Sequence, residues 1–338
     1  MRFAFTDEQL MFRDAVADLL ANECPPEKVR WAWTDDEGRD PKLWAALAEM
    51  GVIGLTAPEA AGGLGMDEID LLPILTEAGR AALPAPLLET TAVVIPLLAE
   101  SAPAAMAEAW LPRLADGSAI ATIALEGQRL VPDAHIADLL VAERDGSLFA
   151  VPADALRCTR QSSVDGARRL FTVDWDTADA ECIVAGEAAA AAIALAFDRG
   201  AVAAAAELIG MAERMIAMTV EYVVARQQFG VPIGSFQAVK HHLADAELKV
   251  SFARPMVWNA AYALATGEPD RDRSVSMAKC FASDAAEVVA RKALQCHGAI
   301  GYTTEHDLHF WLKRSWALAA SWGDALWHRR RVAALLLD

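Results

Sequence analysis

The segment Arg226-Gln227-Gln228-Phe229-Gly230-Val231-Pro232-Ile233-Gly234-Ser235-Phe236-Gln237 decides how the rest of this 338-residue chain is interpreted. It follows a long helical pattern, and a second helical pattern restarts at once, from Ala238 to Lys249. Arg226 offers a planar fork of N–H donors that suits pyrophosphate oxygens. Gln237 supplies an amide at a helix start, where the free backbone N–H groups also favour anions. These residue types together suit an anionic ligand held at the turn.

Each of these residues also has an ordinary structural interpretation. An arginine at a helix end is more often a solvated C-cap that interacts favourably with the helix dipole. Phe229 and Phe236 taken singly are more often core residues than ligand contacts. The choice between the two interpretations therefore depends on what accompanies the segment elsewhere in the chain.

Composition and charge narrow the class of protein. Hydrophobic residues make up 54% of the chain, which indicates a globular fold, and the net charge of −17 argues against nucleic-acid binding. The five cysteines are scattered without a C-x-x-C pair, as expected of reduced thiols in a cytoplasmic protein. The N-terminal residues lack the apolar core of a signal peptide. The Ala-rich stretch 185–206 is interrupted by charged residues, so it is predicted to be a buried helix and not a membrane span.

The pattern along the chain predicts three domains. Residues 1–116 are helical in period, with Thr6 and Asp67 as N-caps. Residues 117–185 change to short apolar runs and turns, including a hairpin at Asp145-Gly146, and predict a small β domain. Residues 186–338 return to long helices, with breaks near 230–235, 267–269 and 298–303. The order of elements predicts an α+β fold with a β insert between two helical domains.

Two further blocks accompany the opening segment in a fixed order. One runs from Met50 to Arg80 and includes Gly62-Gly63-Leu64-Gly65, and the other is Gln295-Cys296-His297-Gly298-Ala299-Ile300-Gly301-Tyr302. Together with Arg226–Gln237, they resemble the three signature blocks of the acyl-CoA dehydrogenase family. The resemblance implies an N-terminal helical domain, a middle β domain and a C-terminal four-helix bundle.

The resemblance also implies FAD as cofactor and an acyl-CoA thioester as substrate, oxidised to the 2-enoyl-CoA. In that family the matching residues serve the adenosine diphosphate half of a neighbouring subunit's flavin. The residues implied as cofactor contacts here are Arg226, Phe229, Gln237, Gln295 and Gly298. The implied electron acceptor is an electron-transfer protein that docks on the complex.

The segments that would hold this chain's own flavin ring depart from the family pattern. After Ala121–Gly127 the chain reaches Leu130–Asp138 almost at once, so the intervening G-S-D loop and strands of the family are missing. Leu130 stands where the family has the tryptophan that packs on the flavin. Pro132 stands where the family has a threonine that bonds the flavin, and proline has neither a hydroxyl nor an N–H to donate.

The catalytic carboxylate of the family is also missing at both of its usual positions. Counting from the third block places one position at Trp322, and counting back from Arg226 places the other at Gly200. Asp324 and Asp198 lie close in sequence and are the available displaced bases, although each reads more naturally as a solvated or paired surface carboxylate.

These departures favour a subunit that completes the flavin site of a full acyl-CoA dehydrogenase chain in an α2β2 heterotetramer. Such a subunit resembles the degenerate subunits of actinobacterial heteromeric acyl-CoA dehydrogenases. The resemblance implies a steroid or fatty acyl thioester as substrate. Two alternatives remain open. One is an active homo-oligomer that uses a displaced carboxylate. The other is a non-enzymatic scaffold or acyl-CoA binder, in which Arg226 and Gln237 would be dispensable.

Overall fold

The chain begins with a layer of helices whose starts are fixed by capping side chains and prolines. The computed structural model describes residues 4–337, so Met1 to Phe3 and Asp338, at the outer ends of the predicted first and third domains, lie outside the described residues. Thr6 with Gln9, and Asp67 with Asp70, form the predicted caps of α1 and α4. The helices are α1 (Asp7–Glu23), α2 (Pro26–Thr34), α3 (Pro41–Glu49), α4 (Glu68–Arg80), a π-helical turn (Leu88–Val94), α5 (Ile95–Ser101) and α6 (Ala104–Ala115).

A pair of small sheets follows these helices. The strands are β1 (Ala121–Ala124), β2 (Val131–Pro132), β3 (Leu139–Arg144), β4 (Ser147–Pro152), β5 (Arg157–Gln161), β6 (Leu170–Asp174) and β7 (Glu181–Val184). One sheet has the order β1-β3-β4-β7, in which only the β1–β3 pair is parallel, and the other has the order β2-β6-β5. The predicted hairpin joins β3 to β4, with Asp145 and Gly146 at φ values of 52° and 68°.

The remainder of the described chain is a helical bundle. Its helices are α7 (Glu187–Ala225), α8 (Gln237–Ala265), α9 (Arg271–His297), α10 (Leu308–Ala320) and α11 (Ala325–Leu337). Helices α7, α8 and α9 pack against one another, α10 packs on α7 and α9, and α11 packs on α9. The short strands β8 (Gln227–Gln228) and β9 (Val231–Pro232) form a hairpin between α7 and α8. The predicted order of helices, small sheets and helical bundle is confirmed, and the boundaries at residues 116 and 185 stay a prediction.

Two glycines bring the N-terminal helices unusually close to the bundle. A Cβ atom at Gly79 of α4 would lie 2.6 Å from Glu207 Cα of α7, and one at Gly210 would lie 2.8 Å from the Arg80 backbone nitrogen. Real side chains do not tolerate such distances, so glycine is required on both helices where they cross. The two backbones are therefore in direct contact, and one continuous hydrophobic core joins them.

Helix α7 is the one helix in residues 4–337 that is long and apolar enough to cross a membrane by length and composition. Of its most apolar window, 61% is buried inside the protein, and the helix packs against α4, α8, α9 and α10. Its apolar character is explained by this central position, in agreement with the prediction of a buried helix.

Candidate functional site

The opening segment forms an exposed hairpin at one end of the bundle. Arg226 is the C-terminal cap of α7, and its guanidinium makes no hydrogen bond or ion pair within residues 4–337. Phe229 is 93% exposed, with a left-handed φ of 55°, and its ring meets Phe236 edge-on. Gln237 is the first residue of α8 and is also exposed. The interpretation of both phenylalanines as core residues is therefore wrong, and the hairpin presents its polar and aromatic groups outward.

The third block lies beside this hairpin. Tyr222, one turn before Arg226, stacks on His297 with ring centroids 4.5 Å apart, which joins the end of α7 to the end of α9. Gln295 and Gly298, on either side of His297, are exposed. The ends of α7 and α9 thus carry two of the sequence-predicted blocks on neighbouring surfaces.

These residues suit the adenosine diphosphate half of FAD. Gly298 has a φ of 65°, and a Cβ atom built on it meets nothing within 4 Å, so the space in front of its backbone is open. The unpaired guanidinium of Arg226 and the N–H groups at the start of the 29-residue α8 provide donors for anionic oxygens. The donor set matches the pyrophosphate and leaves the flavin ring to be held elsewhere.

A separate cleft lies between the sheets and the bundle. Its volume is about 940 Å³, and its aromatic walls are Phe197 of α7, Trp316 of α10, Trp322 of the α10–α11 turn and Trp327 of α11. Leu130 and Pro132 of the shortened β region line the opposite side. The sequence-predicted ring site and base site both face this one cleft.

The two usual base positions meet at the wall of this cleft. Gly200 of α7 faces the Trp322 indole so closely that a Cβ atom on Gly200 would lie 2.6 Å from Trp322 Cε2. Trp322 is 5% exposed and has a left-handed φ of 55°, which is strained for a bulky residue. One indole therefore occupies the space next to both positions where a carboxylate would otherwise stand.

Buried polar groups hold the turn that carries Trp322. Lys279 of α9 donates to the carbonyl oxygens of Ala319 at 3.1 Å and Gly323 at 3.0 Å. His328 Nε2 donates to the carbonyl of Trp322 at 2.8 Å. Because both groups are buried among neutral partners, the pKa of Lys279 falls to about 7 and that of His328 falls to about 4. Neither residue was identified from the sequence, since a lysine and a histidine on helices carry no local signal of such a role.

Both displaced-base candidates have other partners. Asp198 is fully buried, not at the surface as its sequence context suggests, and accepts from Arg331 at 2.6 Å with Arg271 at 3.4 Å. Asp324 is exposed and caps α11 by accepting from the Trp327 backbone N–H at 2.7 Å. The described side chains thus place neither carboxylate in the cleft, and the lack of a base stays a prediction.

The flavin-ring side of the cleft offers few donors. Pro132 is buried in β2, and its carbonyl is already bonded by the Thr122 hydroxyl at 2.7 Å. Leu130 is 40% exposed at the cleft and contributes only apolar surface. Residues at these two positions therefore do not fit an isoalloxazine edge, whose acceptors need N–H or O–H partners.

A buried charged layer closes the inner end of the cleft. Arg168, on the β5–β6 loop, lines both the cleft and a small inner cavity of about 30 Å³ that also faces Glu89, Glu207 and Arg314. Burial raises the pKa of Glu89, and it raises the pKa of Glu207 to about 7. These charges come from four distant parts of the chain, which is why the sequence did not reveal them.

Comparison with known proteins agrees with this architecture. Residues 6–118 match the family model of the acyl-CoA dehydrogenase N-terminal domain, and residues 189–337 match that of the C-terminal domain. The chain is 38% identical over 315 residues to acyl-CoA dehydrogenase IpdE2 of Mycobacterium tuberculosis, covering 91% of both chains. It is 35% identical to IpdE2 of Mycolicibacterium smegmatis, covering 97% of this chain and 99% of the relative. A variant of the Tcur3481–Tcur3483 steroid ACAD superposes with a TM-score of 0.87 at 25% identity, covering 98% of both chains.

Proposed function

Because the chain belongs to the acyl-CoA dehydrogenase family, we propose that it is the base-lacking subunit of a two-chain enzyme of that family. The enzyme would oxidise the α,β bond of an acyl-CoA thioester to the 2-enoyl-CoA. FAD would supply the redox chemistry in the partner's cleft, and the partner would supply the carboxylate base.

The observation that carries the proposal is the contact between Trp322 and Gly200. A general base must reach the proton that it removes, within about 3 Å or through one water. Here an indole covers both positions from which the family places that carboxylate. The two nearest aspartates are committed to a buried ion pair and a helix cap. Acid–base chemistry is therefore assigned to a second chain.

The role of this chain in the proposal is to bind and orient the cofactor. Arg226 and the start of α8 would neutralise the pyrophosphate, Phe229 would cover the adenosine end, and Gln237 and Gln295 would provide amide contacts. Their exposure in the single chain supports this role, since groups that serve a neighbour's ligand must face outward. The two proteins named in the Tcur3481–Tcur3483 steroid ACAD support a heteromeric assembly and a steroid thioester as the class of substrate.

The assembly, location and electron acceptor complete the proposal. An α2β2 heterotetramer with FAD shared between subunits, an electron-transfer protein as acceptor and a cytoplasmic location are all proposed from the resemblance. Domain boundaries near residues 116 and 185 are proposed from the change between helices and strands on either side of them.

The direct test is to purify the chain alone and after co-expression with full-length acyl-CoA dehydrogenases, and to measure flavin absorbance and mass. We expect a colourless chain alone and a yellow heterotetramer with one FAD per αβ pair. A yellow homotetramer from the chain alone would contradict the proposal and favour the homo-oligomeric alternative.

Arg226→Ala tests the cofactor role within the complex. We expect reduced FAD retention, because the substitution removes a charge-assisted contact worth about 1.5–3 kcal/mol. Arg273→Ala is the matched control, since Arg273 is an exposed arginine near the opposite end of α9, paired with Asp270. Unchanged flavin content in Arg226→Ala, with the complex intact, would favour a scaffold without a cofactor role.

A further inference from the structure

The cleft offers few donors at Leu130 and Pro132 but has a large volume. At about 940 Å³ it lies at the upper end of the range of small-molecule pockets, about 300–1,000 Å³. Phe197 lies 4.9 Å from Trp327 and 6.1 Å from Trp322 between ring centroids, so the rings form a continuous wall. Trp316, Trp327 and Val164 remain 45%, 43% and 59% exposed around the opening. So much aromatic surface around one concavity suits a bulky, rigid apolar ligand.

Arg168 provides a polar group at the inner end of the same cleft. Its side chain is 12% exposed, and its Nη1 donates to the Ser321 hydroxyl at 2.5 Å and to the Ala317 carbonyl at 3.4 Å. The nearest carboxylate, Glu89, lies 3.7 Å from Nη2, which is beyond hydrogen-bond distance. Within residues 4–337, Nε makes no hydrogen bond, and Nη2 has only the longer ion pair with Glu89.

The loop that carries Arg168 is fixed on both sides. Asp165 is 1% exposed and pairs with the buried Arg314 of α10. Arg169 is 2% exposed and donates to the backbone carbonyl of Ala32 at 2.9 Å. Because its neighbours are anchored to α10 and α2, Arg168 is held in place before any ligand arrives, which lowers the entropy cost of binding.

The charge of Arg168 is paired only at its inner side, where Nη2 forms a 3.7 Å ion pair with Glu89. Its two hydrogen-bond acceptors are neutral, and burial raises the pKa of Glu89, which disfavours the charged form of that carboxyl group. Glu126, which lines the cleft itself, is engaged by the Asp145 backbone N–H at 2.9 Å. A partly buried guanidinium with free N–H groups favours a carboxylate or carbonyl oxygen as partner.

We propose that this cleft is a binding site for a bulky polycyclic carboxylate or keto compound, with its rings on the Phe197–Trp322–Trp327 wall and its oxygen on Arg168. In this proposal the site binds its ligand without reacting, because Glu126, the one carboxylate among the described residues that line the cleft, already accepts a hydrogen bond from the Asp145 backbone N–H. The inference rests on the proposed function, in which the flavin ring occupies the partner's cleft. It adds a ligand site to a subunit otherwise assigned only to cofactor binding.

The test uses 1-pyrenebutyrate, a fluorescent polycyclic carboxylate, and its uncharged analogue 1-pyrenebutanol. Binding to the purified full chain is followed by energy transfer from tryptophan to pyrene, and flavin absorbance is recorded on the same samples. We expect one pyrenebutyrate per chain, bound about tenfold or more tightly than pyrenebutanol, as hydrogen bonds to a charged group provide. Equal affinities for the two compounds would overturn the assignment of Arg168.

Three variants locate the site. Arg168→Met should remove the preference for pyrenebutyrate, and Ala320→Trp, which fills the cleft, should abolish binding of both compounds. Arg157→Met is the matched control, since Arg157 pairs with Asp174 on the exposed edge of β5 away from the cleft. Binding that survives Ala320→Trp would place the ligand elsewhere and overturn the proposal. If Arg168→Met does not fold, the relative affinities of pyrenebutyrate and pyrenebutanol for the unmodified chain still test whether the site prefers a carboxylate.

Two further outcomes separate this inference from the proposed function. A flavin-containing chain whose flavin is displaced by pyrenebutyrate would refute the proposed function, because the ring would then occupy this cleft. Loss of pyrenebutyrate binding when the partner subunit is added would show that a partner segment fills the cleft, and would overturn the present inference while leaving the proposed function intact.

Discussion

The contact between Gly200 and Trp322 makes a quantitative prediction. Gly200→Ala adds a methyl group where the Trp322 indole already stands, 2.6 Å from Cε2. Overpacking of this kind costs about 1–3 kcal/mol. Alanine in place of glycine in a helix interior gains about 1 kcal/mol. The substitution should therefore lower the free energy of unfolding by about 0–2 kcal/mol.

Once the indole is removed, the same substitution should raise the free energy of unfolding instead of lowering it. In a Trp322→Ala background the added methyl group meets no ring, so only the helix-propensity gain of about 1 kcal/mol remains. Gly200→Ala should then stabilise the chain. The difference between the two backgrounds gives a coupling energy of about 1–3 kcal/mol between positions that are far apart in sequence.

Urea unfolding of the four proteins of this cycle measures the coupling. A Trp327→Ala background is the control, because Trp327 lines the same cleft and packs on the other side of Phe197. Gly200→Ala should remain neutral to destabilising there. If Gly200→Ala has the same effect in all three backgrounds within about 0.5 kcal/mol, the indole does not lie on Gly200. The main support for a base-lacking subunit would then be lost.

Three other perturbations follow from the same region. Burial lowers the pKa of Lys279 from 10.5 to about 7, so the unfolded chain binds more protons than the folded chain between these pH values. The free energy of unfolding should therefore rise with pH by up to about 1.4 kcal/mol per pH unit. Urea unfolding at pH 7 and pH 9 should show that Lys279→Met removes this rise. Burial raises the pKa of Glu207 from 4.5 to about 7, so the free energy of unfolding should fall as the pH increases between these values. Glu207→Gln should therefore stabilise the chain more at pH 8 than at pH 5, by about 1–3 kcal/mol. An equal effect of the substitution at the two pH values would contradict this assignment. Trp322→Glu alone should give no 2-enoyl-CoA with an artificial electron acceptor, because Pro132 still lacks a donor; turnover would show that the ring site is intact.

Helix caps and helix breaks that are marked by glycine, proline or capping residues were predictable from the sequence. The caps at Thr6 and Asp67 and the bundle breaks near 230, 267 and 298 all lie where such residues interrupt a helical period. The order of helices and strands followed, and with it the fold.

Strand β5 and the break between α10 and α11 were not predicted, because their signals in the sequence are weak. Strand β5 (Arg157–Gln161) has no fully buried residue and is polar throughout, so it lacks the apolar alternation by which strands are recognised. The break between α10 and α11 contains a single glycine, and its sharpest residue is Trp322 in a left-handed conformation that tryptophan rarely adopts. That conformation depends on Lys279 and His328, which no local pattern connects to it.

The candidate site likewise contains residues that are close in sequence, which were predictable, and contacts between distant segments, which were not. Arg226, Phe229 and Gln237 lie within one short segment, so their proximity was predictable, whereas the exposure of Phe229 was clear only from the structure. The meeting of Gly200 with Trp322 arises only when α7 packs against the α10–α11 turn. The burial of Asp198 was missed because its partner Arg331 lies 133 residues away.

The backbone contact between α4 and α7 at Gly79 and Gly210 has a mechanical consequence. Because a side chain at either position would collide with the other backbone, the spacing of the two helices at this crossing cannot tolerate any larger residue, and the shared hydrophobic core ties the N-terminal helices to the bundle. The β region contributes a separate wall of the cleft, made of the segment 125–130 and the β5–β6 loop. The Asp165–Arg314 ion pair ties that loop to α10, so the two walls of the cleft are joined by a buried charge pair. A substitution of Gly79 or Gly210 would therefore disturb both the crossing of the two helices and the core that carries the Phe197 wall of the cleft.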